Sequence, residues 1–458
     1  MKPSRKQLKR IEKVNLVSVF IKNARQELSN YRELQVSGRV EEILGVLITA
    51  GLRHVKIGEI CRIESGSGYI SAEVVGFRRN QCLLMPYTVM HGLRPDARVI
   101  PTGRPFRLKC GPFLKGQVLN GLGELIGNDM NKGLINGEWV VREIHKEAPE
   151  PLERKTIDTF LPTGIPAIDG FLCMGQGQRI GVFAAAGTGK STLMSNIARS
   201  ASADVVVINL IGERGREVRE FIEESLGYEG LKRSIVVAAT SDQPAIVRLK
   251  SAYVATTIAE YFRDMGLHVL FMMDSVTRFA RALREIGLAR GEMPSRGGYP
   301  PSVFAELPKL MERAGTNSKG SITALYTVLV AGDDLSEPVA DEVLSILDGH
   351  IILSRKLAAA NQYPAIDILR SKSRLMNRII SPEHGEIVGF LLSKYALCDA
   401  NEEAIRFGFY EPGKNKELDD AVNMKPGIEK FLFDSKQYVR SIDDTINTLK
   451  AIAGMRTK

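Results

Sequence analysis

Apolar and polar positions fall into three textures along the chain. Between about residues 164 and 380, short apolar runs alternate with longer stretches in which apolar residues recur at helical spacing. The runs Arg179–Phe183, Asp204–Leu210, Ser234–Ala238, Leu267–Met273 and Ile322–Val330 are strand-sized and nearly continuous in apolar character. That texture predicts a parallel sheet covered by helices, because strands buried on both faces do not alternate. From about 31 to 105 the runs are shorter: Leu44–Thr49, Glu59–Ile63, Ala72–Val75 and Gln81–Met85, divided by Gly, Asn and Pro turns. Short strands at regular spacing predict a small β-barrel. Leu114 to Thr163 reads as a connector rich in turns, and helical patterns dominate after about residue 385. The predicted boundaries therefore fall as 1–30, 31–105, 106–385 and 386–458, an α/β architecture.

The first thirty residues carry Leu8, Ile11, Val14, Val17, Phe20, Ile21, Ala24 and Leu28 at helical spacing among eight Lys and Arg residues. A basic amphipathic helix can lie on anionic lipid or dock on a partner, or pack on its own protein. The whole chain is basic, with a formal net charge of +9 over 458 residues, which suits RNA, anionic lipid or an acidic partner without choosing among them. No apolar run is long enough to cross a bilayer, and the N-terminus lacks the apolar core of a secretory signal. The five cysteines are scattered with no Cys-x-x-Cys pair, so zinc or a disulfide framework is not expected and a cytoplasmic location is. The six histidines are equally dispersed and read as structural or surface residues.

One stretch changes the picture. Gly181-Val-Phe-Ala-Ala185-Ala186-Gly187-Thr188-Gly189-Lys190-Ser191-Thr192 runs from a predicted strand into a predicted helix. Small residues let backbone N–H groups close around a phosphate, and the helix N-terminus adds positive potential. Lys190 can reach the β- and γ-phosphates of a nucleotide, and the Ser191 hydroxyl can ligate a bridging magnesium ion. Ala184 stands where the usual pattern begins with glycine, the one departure. The rival, a plain strand-to-helix turn, leaves the adjacent Gly-Lys-Ser unexplained.

Two strands end in acids that would face the same crevice. Glu213 follows Val205–Ile211 and can polarise the water that attacks a γ-phosphate; its rival role is an ion pair with a nearby arginine. Asp274 follows His268–Met273 and fits an aspartate that holds magnesium through its water shell. Arg278, one turn later, can sense the γ-phosphate or simply lie on the surface. Tyr363 offers a flat apolar face for adenine, and Arg374 a cation for transition-state charge; spacing alone does not establish either role.

Several long stretches resemble the catalytic subunits of the rotary ATPase superfamily, and more closely the hexameric ATPases of type III protein export, injectisome and flagellar. They are Gly212-Glu-Arg-Gly-Arg-Glu-Val218, Ala255–Asp264, Asp274-Ser-Val-Thr-Arg-Phe-Ala-Arg281, Gly298-Tyr-Pro-Pro-Ser-Val-Phe304, Leu347-Asp-Gly-His-Ile351 and Gln362-Tyr-Pro-Ala-Ile-Asp367. The resemblance implies a small N-terminal β-barrel, a central RecA-like parallel-sheet ATPase domain and a C-terminal helical domain. It places Glu213 at the family's catalytic carboxylate, Arg214 at the arginine beside it, Asp274 at the magnesium-organising aspartate and Arg278 at the γ-phosphate sensor. Tyr363 falls where an aromatic stacks on adenine, and Arg374 where each subunit extends a finger into its neighbour's site. Arg296–Pro301 resembles the loop facing a central stalk.

The resemblance further implies an ATP- and Mg2+-dependent homohexamer at the cytoplasmic face of the inner membrane. Its implied partners are a coiled-coil stalk, a stator or regulator at the N-terminal segment, secretion chaperones, export substrates and the export gate. The short Ala314–Thr323 segment and Leu357–Pro364 look more like injectisome than flagellar members. No counterpart of the acidic lever motif of ATP synthase occurs after residue 385, which argues against ATP synthesis. Two other readings fit the same core: a Rho-like RNA translocase, and a nucleotide-binding subunit without catalysis. The first needs interleaved aromatics in the barrel, where only Tyr31, Tyr69, Phe77 and Tyr87 occur, so no nucleic-acid partner is expected. The second is disfavoured by the intact Lys190, Glu213 and Arg374 set.

Overall fold

The computed structural model describes residues 36–66, 68–126, 138–332, 334–433 and 441–455. The predicted basic helix over 1–30 lies outside them. Six strands close into a barrel: β1 (Gly38–Leu44), β2 (Leu47–Ala50), β3 (Glu59–Ser65), β4 (Gly68–Arg78), β5 (Gln81–Pro86) and β6 (Arg98–Pro105), in the order β1-β2-β5-β4-β3-β6. Alternate residues such as Ile48, Cys61, Ile63, Ala72, Val74, Leu84 and Val99 fill its interior. Leu44–Thr49, expected as a single run, is a hairpin corner instead. Gly45 adopts φ +58°, and β1 pairs antiparallel with β2. A left-handed residue is open to glycine at little cost, which turns the chain inside an apolar run.

The central sheet is built from β7 (Val118–Asn120), β8 (Arg179–Ala184), β9 (Val205–Glu213), β10 (Ser234–Thr240), β11 (His268–Asp274), β12 (Ser321–Leu329), β13 (Gly349–Leu353) and β14 (Lys372–Ser373). Its order is β14-β13-β8-β12-β11-β9-β10-β7. Along this order all neighbours are parallel except β13 and β14, and the short strand Gly315–Thr316 adds an antiparallel pairing to β12 off that path. Each predicted central strand is present within a few residues of its expected ends. Val118–Asn120 falls in the expected connector, yet it extends the sheet at its β10 edge. Three residues are too few to show a period.

The helices that matter here are α1 (Lys190–Ser200), α2 (Gly215–Glu220), α3 (Ala245–Asp264), α4 (Val276–Arg290), α5 (Pro338–Ile346), α6 (Pro382–Ala400), α7 (Glu402–Arg406), α8 (Lys416–Leu432) and α9 (Ile442–Ile452). Helix α3 is buried over most of its length, so its sequence lacks a clear polar face. The C-terminal helices pack on Pro166–Phe171, where Phe171 and Phe431 meet edge to face at 5.9 Å and His384 Nε2 lies 2.9 Å from the Gly170 carbonyl. Among the described residues no helix is long and apolar enough to cross a membrane.

The barrel is fastened to α3 by a buried polar cluster. Lys250 Nζ pairs with Glu73 at 2.8 Å, and Tyr87 donates its hydroxyl proton to Glu73 Oε2 at 2.6 Å. Burial, with Lys250 and Arg313 nearby, pushes the His145 imidazole down to about 3, so its Nε2 accepts from Lys250 at 2.8 Å. All five cysteines are free and buried. Tyr87 is interior, while Tyr69 and Phe77 are exposed on the barrel.

Candidate nucleotide site

β8 runs straight into the glycine-rich turn and α1. Ala184 is fully buried at the end of β8 and is not among the residues with positive φ, so a glycine is not required there. Gly187 and Gly189 do adopt left-handed conformations, at φ +81° and +83°. A Cβ on Gly189 would meet the Tyr363 ring at 3.1 Å, a second reason for glycine. Gly189 caps α1 with no side-chain acceptor, so the first N–H groups of the helix face the turn free of a cap.

The neighbouring strand ends bring the acids in. Lys190 Nζ is bound by both carboxylate oxygens of Asp274, and Thr327 Oγ1 donates to Asp274 Oδ1 at 2.7 Å. Ser191, Glu213, Glu217 and Asp274 line one cavity of about 160 Å³. Burial, and next the Asp274 charge, push the Glu213 carboxyl up to about 7, with a hydrogen bond to Glu217 adding to the rise. The rival role for Glu213 is not seen: among the described residues it forms no salt bridge, and Arg214 pairs with Glu217 at 3.5 Å instead. Arg214 is largely exposed and N-caps α2 through its backbone, outside the cavity. Arg278 stands beside the turn into Glu213, its aliphatic carbons packed under Gly212, and its buried Nε has no hydrogen-bond partner. A buried guanidinium nitrogen without a partner is costly and suits an anion arriving from outside.

Oxygen donors suit a hard divalent cation. Among the described residues no cluster of three or more His, Cys, Asp or Glu could hold a metal alone. The Ser191 hydroxyl and the Asp274 carboxylate are nonetheless on the cavity wall, a set that phosphate and water oxygens would complete.

A second cavity of about 330 Å³ adjoins the turn, lined by Gly187, Thr188, Gly189, Thr192, Leu193, Asn196, Leu353, Tyr363, Pro364 and Ala365. It is mostly apolar and has one aromatic wall, which suits a base held by stacking. Ala185 is buried below the turn, Ala186 is exposed above it, and Thr188 donates to the Ala185 carbonyl at 2.9 Å. Arg374 is elsewhere. It is exposed at the sheet edge just past β14, and its Nη2 lies 3.4 Å from the Leu344 carbonyl. Of the predicted residues, then, the phosphate loop, Glu213, Asp274, Arg278 and Tyr363 converge, while Arg214 and Arg374 point outward. Sequence reading missed Glu217 and Thr327. The repeat Glu213-x-x-x-Glu217, one helical turn apart at a strand end, was the signal for the first.

A barrel, a phosphate loop at the strand ends of a parallel sheet and a helical C-terminal layer define an ATPase of the ATP synthase alpha/beta class. The family models agree: the alpha/beta nucleotide-binding domain matches residues 164–373, the alpha/beta β-barrel domain 40–103 and the type III secretion EscN ATPase C-terminal domain 380–451. The type 3 secretion system ATPase of Xanthomonas euvesicatoria is 49% identical over 91% of this chain and 93% of its own length. The flagellum-specific ATP synthase of Bacillus subtilis is 47% identical over 91% and 95%. The assembled ATPase EscN of the enteropathogenic E. coli type III secretion system superposes with a TM-score of 0.86 at 42% identity, covering 91% of this chain and 99% of that one. EscN solved with its central stalk EscO gives 0.83 at 43%. The chain belongs to the family of type III secretion and flagellum-specific ATPases.

Proposed function

We propose that this protein is the ATP-hydrolysing motor of a type III secretion apparatus, acting as a homohexamer whose sites are shared between neighbouring copies. The observation that carries the reading is the convergence of Ser191, Asp274 and Glu213 on one cavity beside the phosphate loop, with Lys190 bound to Asp274. ATP phosphates would settle on the free N–H groups of the loop and α1 from Ala185 to Thr192. Lys190 would exchange Asp274 for the β- and γ-phosphates, and Tyr363 would stack on adenine. Mg2+ would be held by Ser191 and, through water, by Asp274, where its charge offsets that of the phosphates. Thr327 keeps the Asp274 carboxylate aimed.

Glu213 orients the attacking water, so that its oxygen bonds to the γ-phosphorus as the β–γ bridge breaks, giving ADP and phosphate. A carboxyl raised to about 7 is poised to hold that water and take up its proton near neutral pH. Arg278 neutralises γ-phosphoryl charge, while Arg214, exposed and paired with Glu217, stands outside the cavity and would act at most through Glu217. Arg374 faces away from its own phosphate loop and would act as a finger in the next subunit. A lone subunit is then a poor catalyst.

Hydrolysis would drive chaperone release and substrate unfolding beneath the export gate. The solved relative's pairing with the central stalk EscO supports a coiled-coil stalk partner here, and residues 1–30 would meet a stator, a regulator or lipid at the inner membrane's cytoplasmic face. Of the two subfamilies the injectisome is favoured by the Ala314–Thr323 and Leu357–Pro364 segments, while both subfamilies are represented among relatives of similar identity. The test of the shared site is Arg374→Ala. Hexamers of this variant should bind ATP normally and turn over roughly a thousandfold more slowly; hexamers with full turnover would refute it.

A further inference from the structure

Arg179 opens β8, the strand that leads into the phosphate loop, and it is clamped on the residue that precedes β13. Its backbone N–H, Nε and Nη2 all donate to the Asp348 carboxylate, at 3.0, 3.2 and 3.3 Å. In return the Asp348 N–H donates to the Arg179 carbonyl at 2.9 Å. Glu312 faces Nη1 of the same guanidinium as a second anion. The two carboxylates raise the arginine's affinity for its proton despite burial.

The carbonyl of Asp348 holds the other side. It accepts the backbone N–H of Arg374 at 3.0 Å and Gln178 Nε2 at 3.3 Å. Gln178 also reaches Ser373 Oγ at 3.2 Å, and Ser373 donates to the Cys173 carbonyl at 2.8 Å. Gly349 makes the close approach possible, since a Cβ there would fall 2.6 Å from the Lys372 carbonyl oxygen and 3.0 Å from Ile180 Cδ1. The Arg374 side chain has one long contact of its own, so its position is set chiefly through the backbone.

We propose that Asp348 is a positioning residue for the reaction in the neighbouring subunit: clamped by Arg179, it fixes the backbone from which Arg374 projects. The proposal rests on the reading of Arg374 as a finger in trans. A tether at the root of a long side chain matters because small misplacement of a transition-state cation is costly. Replacing the charge should spare the fold, since Glu312 still neutralises Arg179 and the backbone bonds remain. Asp348→Asn is therefore expected to assemble and melt close to wild type, with kcat about tenfold lower and KM for ATP little changed.

The deciding readout is subunit mixing. Co-expressed Asp348→Asn and Lys190→Ala chains place intact phosphate loops beside intact fingers. Turnover per Asp348→Asn subunit should then rise severalfold over Asp348→Asn hexamers, while Lys190→Ala alone stays inactive. The control pairs Arg374→Ala with Lys190→Ala. A rise in the control without a rise for Asp348→Asn shows that Asp348 acts on its own loop and overturns the proposal. No rise in either mixture shows that the trans finger itself is wrong, and the proposal falls with it. Should Asp348→Asn fail to assemble, Asp348→Glu keeps the charge and displaces the clamp by one methylene, and the same mixtures decide.

Discussion

Lys190 is ion-paired with Asp274, and the two come from elements 84 positions apart that meet only because β8 and β11 flank β12. The pair is nearly buried, with side chains 13% and 9% exposed. Removing the cation leaves a carboxylate buried without its partner, at a cost of about 3 kcal/mol or more. Lys190→Ala should therefore lose turnover by about a hundredfold or more and also melt lower, while Lys190→Ala with Asp274→Asn recovers stability but not activity. Thermal melts beside phosphate-release assays separate the two effects.

Glu213 gives a pH signature. In the folded chain its carboxyl is raised to about 7 by burial and by Asp274, against an ordinary value of 4.5. A raised carboxyl favours the protonated fold, so its contribution is intact below about 4.5 and is lost as pH rises through 7. On the proposed role activity should run the other way, because the ionised form would hold the water. We expect kcat/KM for ATP to climb with pH through about 7. Glu213→Gln should abolish that limb, lose turnover by about a hundredfold, and melt above wild type at pH 8 but not at pH 5. A flat profile in the wild type would count against this role.

Tyr363 forms one wall of the apolar cavity beside Gly189. Losing a stacking face costs roughly 1 kcal/mol. Tyr363→Ala should raise KM for ATP by up to about tenfold with little change in kcat, and Tyr363→Phe should behave as wild type, as steady-state kinetics on assembled protein would show.

The barrel anchor is a stability device. Glu73→Ala strands a buried Lys250 and should lower stability by about 3–5 kcal/mol, whereas Glu73→Leu with Lys250→Met should recover most of it. A double-mutant cycle by chemical denaturation measures the coupling.

The sequence was most informative where signals are local. Continuous apolar runs such as Val205–Ile211 marked the buried parallel strands, and Gly187-Thr-Gly-Lys-Ser191 marked the phosphate loop, because both patterns are complete within a dozen residues. The convergence of Glu213 and Asp274 was legible at second hand, from acids at strand ends and from resemblance. Pairs made by folding across long separations stayed hidden. Lys250 meets Glu73 across 177 positions, and Arg179 meets Asp348 across 169. No period or spacing encodes such contacts. Arg374 was legible only through resemblance, and its exposed place at the sheet edge explains why: little in its own subunit surrounds it.

The central claim is a self-assembling motor with shared sites, and ATP turnover per subunit over a wide range of protein concentration tests it most directly, with and without single-stranded RNA. Specific activity should rise steeply with concentration, in step with assembly, and be indifferent to RNA. Activity independent of concentration, or near zero until RNA is added, would contradict the claim.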